Sequence, residues 1–279
     1  MNHSSSNPSR RTALKTGIAS VGAAGALTAV DAQAYAKKPG ETKVVAVMGD
    51  YWHHPFAQEI HVRGIFSSLP DWRIMFVRAS RFLTPELISD ADLLIAARYG
   101  GRDAIGWSTE GIVDKTIQGD NVWNDEIVAA LVDNVKNRGM GFMSIHCTLF
   151  SGNRTIEDLI GVEPLLHQEV QPVIVKGINQ DHPITRGIES YFVNLDEQFD
   201  CQIKNPATTT LLFRTLAVHD KRDAVGGWCL EQGNGRVVGL LPGHTQWAYR
   251  IPNYQEIFWR AAHWALKRDI PTFTTGRNY

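Results

Sequence analysis

The sequence predicts an α/β domain with a doubly wound, mostly parallel sheet, and three observations favour this fold class. Short apolar runs alternate with segments of helical periodicity through the first half of the chain. The apolar run from Gly141 to His146 is typical of a strand that a parallel sheet buries on both faces. A chain of 279 residues, with 43% hydrophobic and 20% charged residues, is large and apolar enough for a packed domain.

The first half of the domain is predicted to run β-α-β-β-loop-α-β. Its strands are residues 43–48, 73–77, 93–97 and 141–146, and its helices are residues 56–69 and 124–137. Asn124 is the expected N-cap of the second helix. Residues 98–123 are rich in glycine, and a loop of this length in a compact domain is usually functional.

The second half is predicted to contain more strands than helices. We expect a short helix at 156–160, strands at 170–176, 211–218, 225–230 and 236–241, and a final helix at 254–267. The run Gly233-Asn234-Gly235 predicts a tight turn, so the last two strands are expected to form an antiparallel C-terminal hairpin. The sequence contains no internal repeat and no convincing linker after residue 42, which favours a single domain.

The N-terminal segment predicts export by the twin-arginine route. Arg10 and Arg11 precede an uncharged stretch rich in Ala and Gly, and Ala34 and Ala36 give the small-residue spacing of a cleavage site. The apolar stretch is too short and too weakly apolar to span a membrane. The chain thus divides into a signal peptide (1–36), a short linker (37–42) and one α/β domain (43–270), which we expect in the periplasm. A disordered tail is the alternative for the first segment.

Charge and cysteine content narrow the possible partners. The formal net charge of -1 gives no electrostatic reason to bind nucleic acid or an anionic membrane. We therefore expect no nucleic-acid partner and no membrane contact after signal cleavage, while a homo-oligomer stays open. The cysteines Cys147, Cys201 and Cys229 have no metal-type spacing, and they allow either one disulfide with a free thiol or three buried thiols.

Histidines gather where predicted strands end. His53 and His54 follow the first strand, His146 follows the fourth, and His244 follows the last. Parallel strands of an open α/β sheet end on one side, so we expect these imidazoles to converge. At the N-terminus of a helix, His146 should stay neutral near pH 7, and neutral imidazole suits a general base or a metal ligand. A lone histidine is more often structural, but three such groups together favour a site.

Several segments together resemble the ThuA-like trehalose-utilisation family. They are His146 after an apolar strand, Asp181 to Gly187 (DHPITRG), Asp196-Glu197, Gly233 to Val237 leading to Pro242-Gly243-His244, and the closing Tyr254-Gln255 and Trp264-Ala265. The resemblance covers residues 43–268, nearly the whole mature chain. It implies a ThuA-like α/β domain whose flavodoxin-like sheet is similar to that of class I glutamine amidotransferases.

The resemblance also implies an activity on carbohydrate. The family is linked to the use of trehalose and related disaccharides, so we expect a protein that cleaves or rearranges a keto-disaccharide or glycoside by general acid-base catalysis. His146 is the expected base and Glu197 its catalytic partner. His53 or His54, with His244, is expected to bind a divalent metal, zinc first, or substrate hydroxyls. Twin-arginine export carries folded proteins, often with a cofactor already loaded, which agrees with a metal.

Substrate contacts are expected from aromatic and polar side chains in loops near the histidines. Exposed rings are natural platforms for the apolar faces of sugars, which favours Trp52, Trp107 and Trp247. Asp196 and His182, in the two family-like motifs, are expected to bind sugar hydroxyls.

Two other function classes stay open. One is a non-catalytic periplasmic protein that binds carbohydrate or assists another enzyme. The other is a cysteine hydrolase or amidotransferase that uses Cys147. In the amidotransferases a cysteine occupies the turn after this strand, whereas here His146 holds that position and Cys147 comes one residue later. A nucleophilic cysteine also needs a base and an oxyanion hole, so a small buried residue is the alternative for Cys147.

Overall fold

The computed structural model describes residues 34–101, 107–108, 111–112 and 121–273, and between 102 and 120 it describes no side chains. The predicted signal peptide lies almost wholly outside these residues, so export stays a prediction. Lys37, in the predicted linker, donates from its backbone to Asp90 and from Nζ to Asp92, each over 2.6 Å. Among the described residues, no helix has the length and apolarity that crossing a membrane requires.

The first half of the domain alternates strands and helices. Its elements are β1 (Thr42–Met48), α1 (Pro55–Ile65), β2 (Trp72–Val77), α2 (Pro85–Ile88), β3 (Leu93–Ala97), the short pair β4 (Trp107–Ser108) and β5 (Gly111–Ile112), α3 (Asp125–Asp133) and β6 (Gly141–Ile145). The side chain of Asn124 accepts the backbone N–H of Ile127, as an N-cap does. A 3-10 turn, His146–Phe150, follows β6.

The second half is mainly strand. Its elements are α4 (Arg154–Ile160), β7 (Val162–His167), β8 (Gln171–Lys176), β9 (Tyr191–Asp196), β10 (Phe199–Ile203), β11 (Thr209–Ala217), β12 (Arg222–Gln232), β13 (Gly235–Leu240), α5 (Gln246–Tyr249) and α6 (Pro252–Ala265). Strands β7, β9 and β10 were not among the sequence predictions. The pair β7–β10 forms a separate antiparallel ribbon.

A single mixed sheet organises the domain, as an α/β fold requires. Its nine strands run in the order β2-β1-β3-β6-β13-β12-β11-β8-β9. The pairings from β2 to β13 are parallel, and those from β13 to β9 are antiparallel. The expected mostly parallel sheet is therefore corrected to one that is half antiparallel. The cause lies in the connections, because parallel neighbours need a long crossover and the second half joins its strands without helices.

Each face of the sheet carries its own hydrophobic core. Val44 and Ala46 of β1 pack on the face covered by α1 and α6, whereas Val45 and Val47 pack on the face covered by α2, α3 and α4. This alternation follows from the two-residue period of a strand. With both faces covered, the rim at the strand ends is where polar side chains can gather.

Candidate active site

The structure brings together four of the predicted site residues at one rim of the sheet. His53 comes from the loop after β1, His146 from the turn after β6, and His244 from the loop after β13, while Glu197 lies between β9 and β10. Each offers a potential ligand atom, and these atoms all lie within 4.8 Å of one another. We call this set the His3-Glu cluster.

Distances within the cluster match those of a metal's coordination shell. Nε2 of His146 lies 3.2 Å from Nδ1 of His244 and 3.4 Å from Oε2 of Glu197. Nδ1 of His244 lies 3.1 Å from the same oxygen. Bonds of about 2.0–2.1 Å around a tetrahedral zinc ion place neighbouring ligand atoms about 3.3 Å apart. The donor set and its spacing therefore fit a divalent metal.

His53 reaches the cluster through Nε2, because Asp50 occupies its other nitrogen. Both oxygens of Asp50 lie close to His53 Nδ1, at 2.7 and 2.8 Å. The His53 ring lies 5.0 Å from that of His146 and 4.9 Å from that of His244, centroid to centroid. Nε2 of His53 is buried and has no hydrogen-bond partner within the described part of the chain. Such an orphaned nitrogen is rare in folded proteins, and a metal is one of the groups that satisfy it.

Asp50 stabilises the loop after β1 through hydrogen bonds to backbone N–H groups. Its carboxylate accepts backbone N–H groups from Trp52 at 2.8 Å, His53 at 3.2 Å and Tyr99 at 2.8 Å. Burial alone would raise the pKa of Asp50, but the charge and hydrogen bond of His53 and these amides outweigh it, so the pKa is lowered. Asp50 is thus an anion that holds His53 with its proton on Nδ1.

Gly49 lets this loop turn directly after β1. Its φ is +79°, in the left-handed region, and a Cβ at this position would lie 2.3 Å from Cβ of Pro55. A side chain is therefore excluded on both counts. The turn places Asp50 and His53 at the rim while Pro55 starts α1.

His146 is fully buried, at 0% exposure, and this revises its expected role. Its Nδ1 donates to the carbonyl of Leu241 at 2.8 Å, and its ring stacks on Phe199 with centroids 4.1 Å apart. Burial, opposed by the hydrogen bond to Glu197, lowers the pKa of His146 to about 4. The ring is therefore a neutral imidazole whose Nε2 faces the cluster, a better position for a ligand than for a base that must reach substrate.

The backbone of His146 supports a special role for this residue. Its φ of +45° lies in the left-handed region, which non-glycine residues seldom adopt. Strain of this kind costs about 1–3 kcal/mol and concentrates at functional sites. The conformation turns the chain sharply from β6 into the 3-10 turn and leaves the ring beneath the rim.

Asp196 holds the two remaining cluster residues in place. Its carboxylate accepts backbone N–H groups from Glu197 at 2.9 Å, Gly243 at 2.9 Å and His244 at 2.8 Å. Burial raises the pKa of Asp196 to about 6, although these amides oppose the shift. The predicted sugar contact is corrected here, because a carboxylate at 1% exposure with its oxygens on backbone amides is a positioning group.

Glu197 and His244 lie side by side at the mouth of the cluster, with Nδ1 of His244 3.1 Å from Oε2 of Glu197. Burial opposes the charge on each, but the imidazoles of His146 and His244 beside Oε2 hold the pKa of Glu197 well below its usual range. For His244, burial is outweighed by the hydrogen bond and charge of Glu197, so its pKa is raised. Glu197 is thus an anion among imidazoles.

A cavity of about 420 Å3 opens onto the cluster. Its walls are mainly aromatic, with the cluster at one side, and the lining residues are Trp52, His53, Tyr99, Cys147, Phe150, His167, Glu197, Phe199 and His244. The volume lies in the range typical of small-molecule sites. Such sites usually have apolar walls with a few polar groups among them. Trp52 is 44% exposed and packs edge-on against Tyr99, 5.0 Å between ring centroids.

Two predicted histidines lie outside the cluster. The ring of His54 packs against Phe56, 5.8 Å between centroids, so of the pair after β1 the structure selects His53. His182 lies 3.4 Å from the sulfur of Cys229 through Nε2 and accepts the N–H of Ile184 at 3.3 Å. It is absent from the described residues that line the cavity, so its expected sugar contact is not seen.

Of the three tryptophans predicted to contact the substrate, Trp52 lines the cavity. Trp247 is exposed, with the guanidinium of Arg250 5.3 Å from its ring centroid, and among the described residues it is not part of the lining. The side chain of Trp107 lies outside what the structure describes.

Cys147 borders the cavity as a protected thiol. Its sulfur donates to Asp50 over 3.5 Å, and burial, followed by the charge of Asp50, raises its pKa well above the usual range. A thiolate nucleophile requires the opposite shift. All three cysteines are described, and each is a free, buried thiol.

Sequence reasoning missed Asp50, Tyr99 and His167, and also the rings of Phe150 and Phe199 that line the cavity. Asp50 follows the first strand directly, which was the available signal. Nδ1 of His167, at the end of β7, lies 2.8 Å from Oε1 of Glu197.

Fold and site together define an α/β protein with a histidine-carboxylate cluster in an aromatic cavity. A family model for ThuA, described as trehalose utilisation, matches residues 79–265, more than half of the sequence. The chain belongs to the ThuA family. Its sequence has no match among curated proteins.

Two solved structures of ThuA-like proteins are similar to the chain. The one from Parabacteroides merdae is 16% identical with a TM-score of 0.62, over 84% of this chain and 96% of that one. The one from Bacteroides uniformis is 14% identical with a TM-score of 0.60, over 83% and 93%. The carbohydrate deacetylase Agd3 is 10% identical with a TM-score of 0.53, over 79% of this chain and 32% of its own. At sequence identities of 10% to 16%, these similarities show a shared fold and nothing further.

Proposed function

We propose that this ThuA family member is an exported carbohydrate-active enzyme whose active centre is the His3-Glu cluster with a bound divalent metal, zinc first. The observation that carries the proposal is the spacing of the cluster atoms, 3.1 to 3.4 Å among His146, His244 and Glu197 and within 4.8 Å with His53 included, at the edge of a cavity suited to a small molecule. The position of the cluster agrees with a flavodoxin-like arrangement of the parallel half of the sheet, because such sheets bind ligands beyond the carboxyl ends of their strands.

Three imidazoles and one carboxylate would hold the metal. His53 and His146 each have the nitrogen away from the cluster occupied, by Asp50 and by the carbonyl of Leu241 respectively. Outer partners of this kind fix the tautomer and the orientation of metal-bound histidines. His244 and Glu197 border the cavity and complete the set.

The chemistry proposed is acid-base catalysis on a keto-disaccharide or glycoside. A bound metal supplies a Lewis acid that polarises a carbonyl. Glu197 borders the cavity, and its Oε1, the oxygen that does not face His146 and His244, is the group placed to accept or return a proton of the substrate. Trp52 and Tyr99 offer ring faces and edges to the apolar side of a sugar. The family's description as trehalose utilisation supports a sugar as substrate.

Metal content is the direct test. Protein purified from its own compartment should contain one equivalent of metal by elemental analysis, and His53→Ala and His244→Ala should lose it. His54→Ala is the matched control, because the neighbouring ring packs against Phe56 and should leave the metal in place. Protein without metal that turns over a keto-disaccharide fully in chelator would remove the metal from the proposal.

A non-catalytic sugar-binding protein is the second candidate, and the aromatic walls of the cavity favour it. It predicts sugar binding that survives His146→Ala, with no turnover of any keto-glycoside. The cysteine hydrolase finds no support at Cys147, whose raised pKa keeps it a thiol.

Export through residues 1–36 is part of the proposal, and its support is the paired arginines and the cleavage-site spacing. Cell fractionation tests it. The wild type should appear in the periplasm, and exchange of Arg10 and Arg11 for lysine should retain it in the cytoplasm. Equal periplasmic amounts of both would contradict the twin-arginine route.

A further inference from the structure

The ribbon β7–β10 supplies much of one wall of the cavity. Within it, His167 of β7 pairs with Phe199 of β10, and Glu197 precedes β10 by two residues. The backbone N–H of Gln168 donates to the carbonyl of Gln198 at 2.9 Å, which closes the ribbon next to Glu197. The ribbon therefore sets the distance between His167 and Glu197.

Glu197 is held from two sides. Its Oε2 faces His146 and His244, at 3.4 and 3.1 Å, whereas its Oε1 lies 2.8 Å from Nδ1 of His167. The first two partners belong to the buried cluster, but the side chain of His167 is 59% exposed and stands at the rim. Glu197 has several rotatable bonds, so fixing Oε1 decides where Oε2 points.

The ring of His167 is itself kept in place by aromatic neighbours. Its centroid lies 5.6 Å from that of Phe199 and 6.1 Å from that of Phe150, both edge-on. Phe199 in turn stacks on His146. A rim histidine packed in this way presents Nδ1 to Glu197 in a defined direction.

From this geometry we propose that His167 is a positioning residue, which aims Glu197 into the metal shell through its Nδ1–H···Oε1 hydrogen bond. The inference rests on the proposed function, because it takes the His3-Glu cluster as a metal site. It adds a residue of the outer shell to the three imidazoles and the carboxylate. Removal of such outer partners typically weakens metal binding about 10- to 100-fold.

Cobalt is the probe that separates this role from a merely structural one. The full-length mature protein is freed of metal with chelator and titrated with Co2+, and both the dissociation constant and the visible d–d spectrum are recorded. His167→Ala should bind Co2+ about tenfold or more weakly, with an altered spectrum. His167→Asn should restore both, because its amide nitrogen lies close to the position of Nδ1 and donates to Oε1.

His182→Ala is the matched control, since this histidine lies between β8 and β9, packs against Trp264 near the end of α6, and among the described residues is not part of the cavity lining. It should leave affinity and spectrum unchanged. Wild-type values for His167→Ala would overturn the inference and leave the metal proposal intact. Equal losses in His167→Ala and His167→Asn, both folded by circular dichroism, would overturn it as well, because the hydrogen bond would not be the cause. A wild type that binds no Co2+ would overturn both proposals.

Discussion

Substitution of Asp50 by asparagine tests how far one buried carboxylate supports both the fold and the site. Oδ1 accepts the N–H groups of Trp52 and His53, and Oδ2 accepts that of Tyr99. An amide offers one oxygen, so its NH2 group must face at least one of these donors. Asp50→Asn thus leaves one or two N–H groups unpaired without changing the volume of the side chain.

The expected loss follows from these contacts. A hydrogen bond to a charged group contributes about 1.5–3 kcal/mol, and a buried donor without a partner costs about 1–3 kcal/mol. We expect Asp50→Asn to lower the free energy of unfolding by about 2–4 kcal/mol. Because the amide no longer fixes the proton of His53 on Nδ1, zinc affinity should also fall about 10- to 100-fold. That decrease corresponds to about 1.4–2.7 kcal/mol of binding free energy.

Urea unfolding of the metal-free protein and calorimetric titration with Zn2+ measure the two losses separately. Asp158→Asn is the control, because this carboxylate is 64% exposed and pairs with Lys204 at the surface. Such a pair contributes no more than about 1 kcal/mol. Folded Asp50→Asn protein with wild-type zinc affinity would refute the positioning argument, and unchanged stability would refute the hydrogen-bond argument.

Three further predictions concern the cavity and its loop. Cys147→Ser should keep zinc affinity. Iodoacetamide should label Cys147 only after unfolding, because burial raises the pKa of the thiol, and mass spectrometry detects any labelling of the native protein. Trp52→Ala should weaken sugar binding, as measured by titration. It should change the free energy of unfolding by no more than about 1 kcal/mol, because the ring is half exposed. Gly49→Ala should cost about 1–3 kcal/mol in urea unfolding, since its Cβ would meet Pro55; a wild-type midpoint would contradict the close approach.

Strands that are buried on both faces could be predicted from the sequence, whereas the ribbon could not. The strands β1, β3 and β6 are buried at every position and consist mainly of apolar residues, which is a local property of the sequence. β7 contains Pro164 and exposes most of its residues, and β9 shows no regular alternation. Their pairing depends on contacts with distant strands. Apart from the hairpin that Gly233-Asn234-Gly235 predicts, the antiparallel half of the sheet escaped prediction for the same reason, because strand direction is set by connections that carry no periodic signal.

The site residues likewise fall into those that the sequence could predict and those that it could not. His146 and His244 follow β6 and β13, which are neighbours in the sheet, so strand ends alone suggest their proximity. The choice between His53 and His54 depends on the turn that Asp50 stabilises, and such a turn is a matter of backbone geometry. Glu197 approaches from the antiparallel half, and only the three-dimensional order of strands places it opposite the imidazoles.

The wide spacing of the cluster along the chain has a consequence for when a metal can enter. His146 and His244 are 98 residues apart, and His53 precedes both. An unfolded chain offers an ion no such shell, and contacts of long sequence separation form slowly. A polypeptide threaded through a membrane would have to select its ion from whatever the outer compartment holds. One that folds first takes it from the cytoplasm, and metal availability, as much as ligand type, decides which ion is bound.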